Sequence, residues 1–257
     1  MLHYQEVGAG VPLVILHGLF GSGDNWRSLA KDFAEQAEAR VILVDLPNHG
    51  SSPHTDDMHY PRMAEEVHKL MSHLTLDSAF ILGHSMGGKV AMTYALSQPQ
   101  AVRGLISADI APKRYPPAHT EIIAAMQEVE QSKPESRKSA DEVLATRIAS
   151  KPVRAFLLKS LKPQSGGGYA WALNIDAIAE CYPHLVSWPE VDGRYDGPAL
   201  FVAGGKSSYI SADDIEGIEE LFPHAVFESI DEAGHWLHVE QRETFTELVT
   251  GFLSKHS

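Results

Sequence analysis

The chain has 257 residues, with 21 Lys and Arg against 34 Asp and Glu, for a net charge of −13. With 44% hydrophobic and 21% charged residues, the composition is that of a folded globular chain and excludes disorder. The acidic balance argues against a nucleic-acid partner, and the single cysteine, Cys181, excludes an internal disulfide framework and a Cys-based zinc site.

The N-terminus MLHYQEVGAG has neither a basic nor an apolar signal region, and no apolar run reaches the ~18 residues of a membrane span. A cytoplasmic protein without a membrane partner is the expectation.

In chain order, short apolar runs at Leu13–Leu16, Val41–Val44, Ala79–Leu82, Gly104–Ala108 and Ala199–Ala203 read as strands buried on both faces. Helical patterns lie between and after them, at Trp26–Ala37, Tyr60–Leu74, Met86–Ser97, Ala212–Leu221 and Glu240–Lys255. The clearest is Tyr60–Leu74, with Met63, Val67, Leu70, Met71 and Leu74 on one face. Such alternation predicts an α/β fold with a mostly parallel, doubly wound sheet.

The alternation stops between Pro112 and Pro189. Helical stretches Glu121–Gln131, Ala140–Ser150, Val153–Leu161 and Asn174–Cys181 follow one another, interrupted by the loop Pro163–Gly168. The expected organisation is a core of residues 1–111 and 190–257 with a helical lid at 112–189. Residues 112–190 hold 10 Lys/Arg and 9 Asp/Glu, leaving 11 against 25 elsewhere. Either the lid merely lacks surface acids, or it offers less repulsion to an anionic part of a substrate.

Gly83-His84-Ser85-Met86-Gly87 joins a strand to a helix, the setting in which G-x-S-x-G places a serine hydroxyl above a sheet. A tetrahedral intermediate then needs preorganised N–H donors. Met86, after the nucleophile, and Leu19, in the loop His17-Gly18-Leu19-Phe20-Gly21-Ser22, are placed to supply them. Phe20 and Trp236 are candidate pocket walls, and His17 is read as a brace for the loop. A serine also needs a base. Of 14 histidines, His235 in Ala233-Gly234-His235-Trp236 follows the last strand-like stretch, Val226–Ile230, and fits the order nucleophile, acid, histidine. His238 is read as a wall or surface residue. His68, His73, His49 and His54 form no ligand cluster, so no metal is expected.

The acid is less direct. Gly205-Lys206-Ser207-Ser208-Tyr209-Ile210 follows the Ala199–Gly204 run and has serines where an acid is usual. Asp213 and Asp214 read as first-turn acids of a helix. Asp109, at the tip of the Gly104–Ala108 strand, either orients His235 or caps the loop before Pro112; we take the first reading.

These motifs, with Asp45-Leu46-Pro47-Asn48-His49-Gly50-Ser51-Ser52 and Gly83–Lys89, resemble the α/β-hydrolase superfamily. Asp109-Ile110-Ala111-Pro112 and Gly204–Tyr209 narrow the likeness to the bacterial YbfF-type esterases, over essentially the whole chain. The resemblance implies hydrolysis of short-to-medium carboxylic esters, and of acyl-CoA thioesters, by Ser85, Asp109 and His235 with Leu19 and Met86 as oxyanion donors. It implies no cofactor, a small-molecule ester or thioester as partner, and a monomer or homodimer. A cofactor-free haloperoxidase or a carbon–carbon bond hydrolase would use the same residues; a hydrolase-like ligand sensor would keep them without turnover. Trp171, Asn174, Tyr182 and Trp188 are expected to line or brace the pocket.

Overall fold

A computed structural model describes all residues, 1–257. Its strands are β1 (Tyr4–Val7), β2 (Val11–Leu16), β3 (Ala39–Val44), β4 (Ala79–His84), β5 (Val102–Ala108), β6 (Leu161–Pro163), β7 (Tyr169–Trp171), β8 (Ala199–Gly204) and β9 (Ala225–Ile230). Seven form one sheet in the order β1-β3-β2-β4-β5-β8-β9, parallel except for the antiparallel edge strand β1. The helices are α1 (Arg27–Gln36), α2 (Tyr60–His73), α3 (Met86–Ser97), α4 (Thr120–Ser132), α5 (Arg137–Leu144), α6 (Lys151–Leu157), α7 (Ile175–Val186), α8 (Ile215–Leu221), α9 (Leu237–Glu240) and α10 (Arg242–His256).

The strand sequences explain the layering. Side chains alternate between faces of a strand, so a run that is apolar throughout feeds two cores. Val14, Leu16, Ile42, Val44 and Ile81 enter one core, which includes residues of α2 and α3. Leu13, Ile15, Val41, Leu43, Phe80 and Leu82 enter the other, with residues of α1 and α10. Each fully buried Leu, Ile or Val stabilises by about 1.5–3 kcal/mol relative to exposure. Helix α3 is buried along almost its whole length, which its apolar Val90–Ala95 stretch permits. The expected strands and core helices are present, within a few residues at their ends. Strand β1 was not expected: Tyr4-Gln5-Glu6-Val7 is a partly exposed edge without a long apolar run.

Between β5 and β8 the chain forms α4 to α7 and also a hairpin, β6–β7, so the segment is not all helical. Pro163–Gly168 is the hairpin turn, closed by the Gln164 N–H bond to the Gly168 carbonyl at 3.0 Å. Helix α7 runs past Pro183 to Val186, beyond the expected end at Cys181. Asn174 starts it by accepting the Ala177 N–H.

The segment is tied to the strand ends. Ser160 Oγ–H donates to the Phe20 carbonyl at 3.0 Å, Asn174 N–H to Asn48 at 3.0 Å, and Tyr60 Oη–H to Leu185. No helix is long and apolar enough to cross a membrane.

Candidate active site

Strands β4 and β5 are paired so that His84 lies opposite Ala108. The next residue on each strand, Ser85 and Asp109, has φ of +52°. A non-glycine residue held there costs on the order of 1–3 kcal/mol and persists only where its surroundings enforce it. The Ser85 N–H donates to the Ala108 carbonyl at 3.1 Å, and α3 starts at Met86. The sharp turn requires glycine on both sides. A Cβ on Gly83 would stand 2.1 Å from the Gly87 carbonyl oxygen, and one on Gly87 2.2 Å from that of Leu16.

His235 follows β9 and reaches back over two strands. Its Nε2 lies 3.0 Å from Ser85 Oγ, and its Nδ1 lies 2.7 Å from Asp109 Oδ2. With Asp109 ionised, Nδ1–H donates to it and Nε2 is left to accept the serine proton. Asp109 has no solvent exposure, a costly state for a carboxylate unless it is bonded. Its Oδ1 accepts the Gly204 N–H at 3.0 Å, and Oδ2 also accepts the Ser207 hydroxyl. The His235 ring stacks on Tyr209 at 3.8 Å, and its carbonyl accepts His84 Nε2–H at 2.8 Å.

Leu19 and Met86 lie with Ser85 around one space. Met86 N–H is at the first turn of α3, where amides lack intrahelical acceptors, and Leu19 N–H finds no acceptor within the chain. Two buried histidines fix the loop that carries Leu19. His17 Nε2 accepts the Leu46 N–H at 3.0 Å and Nδ1–H donates to the Gly18 carbonyl. His49 Nε2 accepts the Phe20 N–H at 3.2 Å and Nδ1–H donates to Pro47. Both accept through Nε2, which requires neutral rings. Burial enforces that, lowering His17 and pushing His49 down to about 3.

Ser85 faces two spaces. One is a cavity of about 400 Å³ whose wall includes Phe20, Trp26, Phe156, Trp236, His238 and His235. The other is a chamber of about 40 Å³ bounded by Leu19, Met86, Lys89, Tyr115, Tyr182 and Tyr209. His119 borders both; its backbone N–H donates to Tyr182 Oη at 2.8 Å, and its Nδ1 lies 3.1 Å from the same oxygen.

Of the residues singled out in the sequence, Asp109 and His235 join Ser85 in the hydrogen-bonded chain, Leu19 and Met86 border the small chamber with it, and Phe20 and Trp236 stand in the cavity wall. Asp214 is engaged elsewhere, by Lys113 at 2.6 Å and by Ser211. His238 is a wall residue, stacked on Trp26 at 4.2 Å. Of the four lid residues named, Tyr182 borders the small chamber, whereas Trp171 donates its ring N–H to the Met126 carbonyl, Asn174 caps α7 and Trp188 packs, half-buried, against the core outside both spaces. Ser207, Tyr209, His119 and Lys89 were not anticipated. Ser207 stands in the loop where an acid is usual, which was its one signal. Nothing in the local sequence marks His119. No three His, Cys, Asp or Glu side chains cluster in a way that would hold a metal ion.

This architecture and site define an α/β hydrolase, and the chain belongs to that family: the α/β-hydrolase-fold family model matches residues 11–241. It is an α/β hydrolase of the esterase and lipase kind. It is 40% identical over 256 residues to the sn-1-specific diacylglycerol lipase ABHD11 of Xenopus laevis, covering 97% of this chain and 82% of that one. It is 35% identical to esterase YbfF of Escherichia coli strain K12, covering 95% and 93%. Among solved structures, a marine microorganism esterase shares 41% identity and a TM-score of 0.94, with 98% of each chain covered.

Proposed function

We propose that the protein is a serine carboxylic-ester hydrolase that works through an acyl-enzyme on Ser85 and acts on short-to-medium acyl esters, with thioesters as a second substrate class. The observation that supports it most is the continuous chain Asp109–His235–Ser85, at 2.7 and 3.0 Å, opening on the 400 Å³ cavity. His235 takes the Ser85 proton as Oγ attacks the carbonyl carbon. The Leu19 and Met86 amides hold the oxyanion, and His235 returns the proton to the departing alcohol or thiol. Water, deprotonated by His235, then breaks the Oγ–acyl bond, releasing the acid and free serine. Asp109 keeps the imidazole in the tautomer that accepts from Ser85 and stabilises its charged form. The lid organisation of residues 112–189 is part of the same proposal: Phe156, His119 and Tyr182 would shape what reaches Ser85.

The test is steady-state hydrolysis of p-nitrophenyl esters from acetate to palmitate, a diacylglycerol and acyl-CoA thioesters, by wild type and Ser85→Ala. Multiple turnover that disappears in Ser85→Ala supports the proposal. Turnover that survives it, or a folded wild type that stops after one acylation, refutes it; the second result is the behaviour of a sensor.

A further inference from the structure

Lys89 is one turn into α3 from Ser85 and is 2% exposed. Its ammonium donates to the carbonyls of Ser187 at 2.7 Å and Val186 at 3.3 Å, at the end of α7, and lies over the Tyr115 and Tyr60 rings at 4.8 and 5.4 Å. None of these partners carries a negative charge. The contrast is Arg154, also buried, which has the Asp141 carboxylate at 2.7 Å. A buried cation without a counter-ion is costly, and burial pushes the Lys89 ammonium down to about 7. Around it, burial raises the Tyr60, Tyr115, Tyr182 and Tyr209 phenols and pushes His119 down to about 4, so all stay neutral. Lys89 is the one ionic side chain bordering the 40 Å³ chamber.

The chamber's place relative to His235 says which part of an ester it would take. His235 must hand its proton to the leaving group, so the leaving group lies on the side that His235 lines, the large cavity. The chamber is bounded by Ser85, Leu19 and Met86 and not by His235, which is where the acyl substituent of the tetrahedral intermediate would point. A water needs roughly 10–15 Å³ of such space, so the chamber takes only about three small groups.

We infer that this chamber is the acyl subsite and that Lys89 selects short acyl groups ending in a carboxylate, the half-esters or half-thioesters of small dicarboxylic acids. The selection presupposes the serine-hydrolase reading above and places the preferred acyl group at its short end. In the reaction, the Ser85 Oγ–acyl bond forms as the bond to the leaving alcohol or thiol breaks, and His235 supplies that group's proton. The distal carboxylate stays intact against Lys89, and water releases the free dicarboxylic acid.

The test compares monoethyl malonate and monoethyl succinate with ethyl propionate and ethyl butyrate, following acid release in a pH-stat. Wild type is expected to favour the half-esters in kcat/KM by about tenfold or more, the effect of one modest charge pairing. Lys89→Met should remove that ratio. A wild-type ratio at or below one, or a ratio unchanged in Lys89→Met, would overturn the subsite. Slowing of both series by the same factor with a lower Tm would also overturn it, leaving Lys89 as a strut between α3 and α7. Should Lys89→Met fail to fold, inhibition of wild type decides: succinate should compete with p-nitrophenyl acetate far better than butyrate, and equal inhibition overturns the assignment. Turnover lost in Ser85→Ala with no half-ester preference removes the subsite alone, whereas turnover surviving Ser85→Ala removes the serine reading and the subsite together.

Discussion

Replacing Asp109 by Asn keeps the size and shape of a side chain with no solvent exposure, so the fold should survive while the proton inventory changes. Oδ1 accepts the Gly204 N–H at 3.0 Å, and in the variant the Asn carbonyl oxygen must sit there. That turns the amide NH₂ toward His235 Nδ1, where Oδ2 stood at 2.7 Å. A donor at that position forces Nδ1 to accept, puts the proton on Nε2, and removes the base from Ser85 at 3.0 Å. The Ser207 hydroxyl can follow by rotating to accept, so it does not prevent the exchange. In a serine triad this inversion of tautomer costs about ten-thousandfold in kcat, close to 5.5 kcal/mol of barrier. The assay is p-nitrophenyl acetate hydrolysis under saturation, with circular dichroism and a melting curve to establish folding. Asp214→Asn is the control, since its carboxylate serves Lys113 and Ser211, and its kcat should stay within about threefold of wild type. A folded Asp109→Asn enzyme that loses less than tenfold refutes the orienting role and leaves Asp109 as a loop cap.

Gly87→Ala tests the elbow. The added Cβ would lie 2.2 Å from the Leu16 carbonyl oxygen, a backbone atom that cannot rotate away, so a loss of at least ~2–3 kcal/mol is expected in urea unfolding. An unchanged midpoint would show that the turn relaxes freely. His238→Phe tests the acid sensitivity that buried histidines impose. Burial pushes His238 to about 3, well below its unfolded value near 6.5. Between those values the unfolded chain binds a proton that the folded ring rejects, so stability is lost as pH falls below about 6.5. The slope is just over 1 kcal/mol per pH unit for each such group. Phenylalanine keeps a flat ring against Trp26 and removes both the titration and the unpartnered buried Nδ1. By pH 5 it should therefore melt roughly 4–8 °C above wild type, relative to their difference at pH 7. Parallel Tm–pH curves for the two proteins would refute this account.

The parts of the molecule legible from sequence were those whose physics is local. A strand buried on both faces needs a run such as Phe80-Ile81-Leu82, and that run is visible. A turn as sharp as the one at Ser85 needs Gly83 and Gly87 around it, and those are visible too. The carboxylate that bonds His235 was legible because the loop after β8 offered serines while β5 ended in Asp109. What escaped is set by partners distant in sequence. The β6 and β7 strands are three residues each, too short for any periodicity, and exist because they pair with one another. Pro183 removes a donor inside α7, but the Tyr115 N–H bond to the Val186 carbonyl and the Lys89 bonds help hold the last turn. His119 reaches the site through Tyr182, 63 positions away, and neither residue type announces that in isolation.

The register of the sheet explains why the carboxylate that bonds His235 can sit on β5. His84 is paired with Ala108, so the residues that follow, Ser85 and Asp109, leave the sheet side by side with the same left-handed φ. His235 comes from beyond β9, with β8 between it and β5. An acid after β8 would reach His235 from a neighbouring strand; Asp109 has to reach it across the end of β8. Strand β8 makes that possible by lending donors in place of a carboxylate. The Gly204 amide holds one oxygen of Asp109 and the Ser207 hydroxyl the other, which offsets the desolvation of a fully buried charge and aims Oδ2 at His235. Asp109 also draws its own backbone N–H from the same strand, bonding Val202 at 2.8 Å. Asp109 and its supports therefore form a unit: a carboxylate on β5 is tenable because the loop after β8 carries serine, and a carboxylate at position 207 would set two like charges against one another in a dry site.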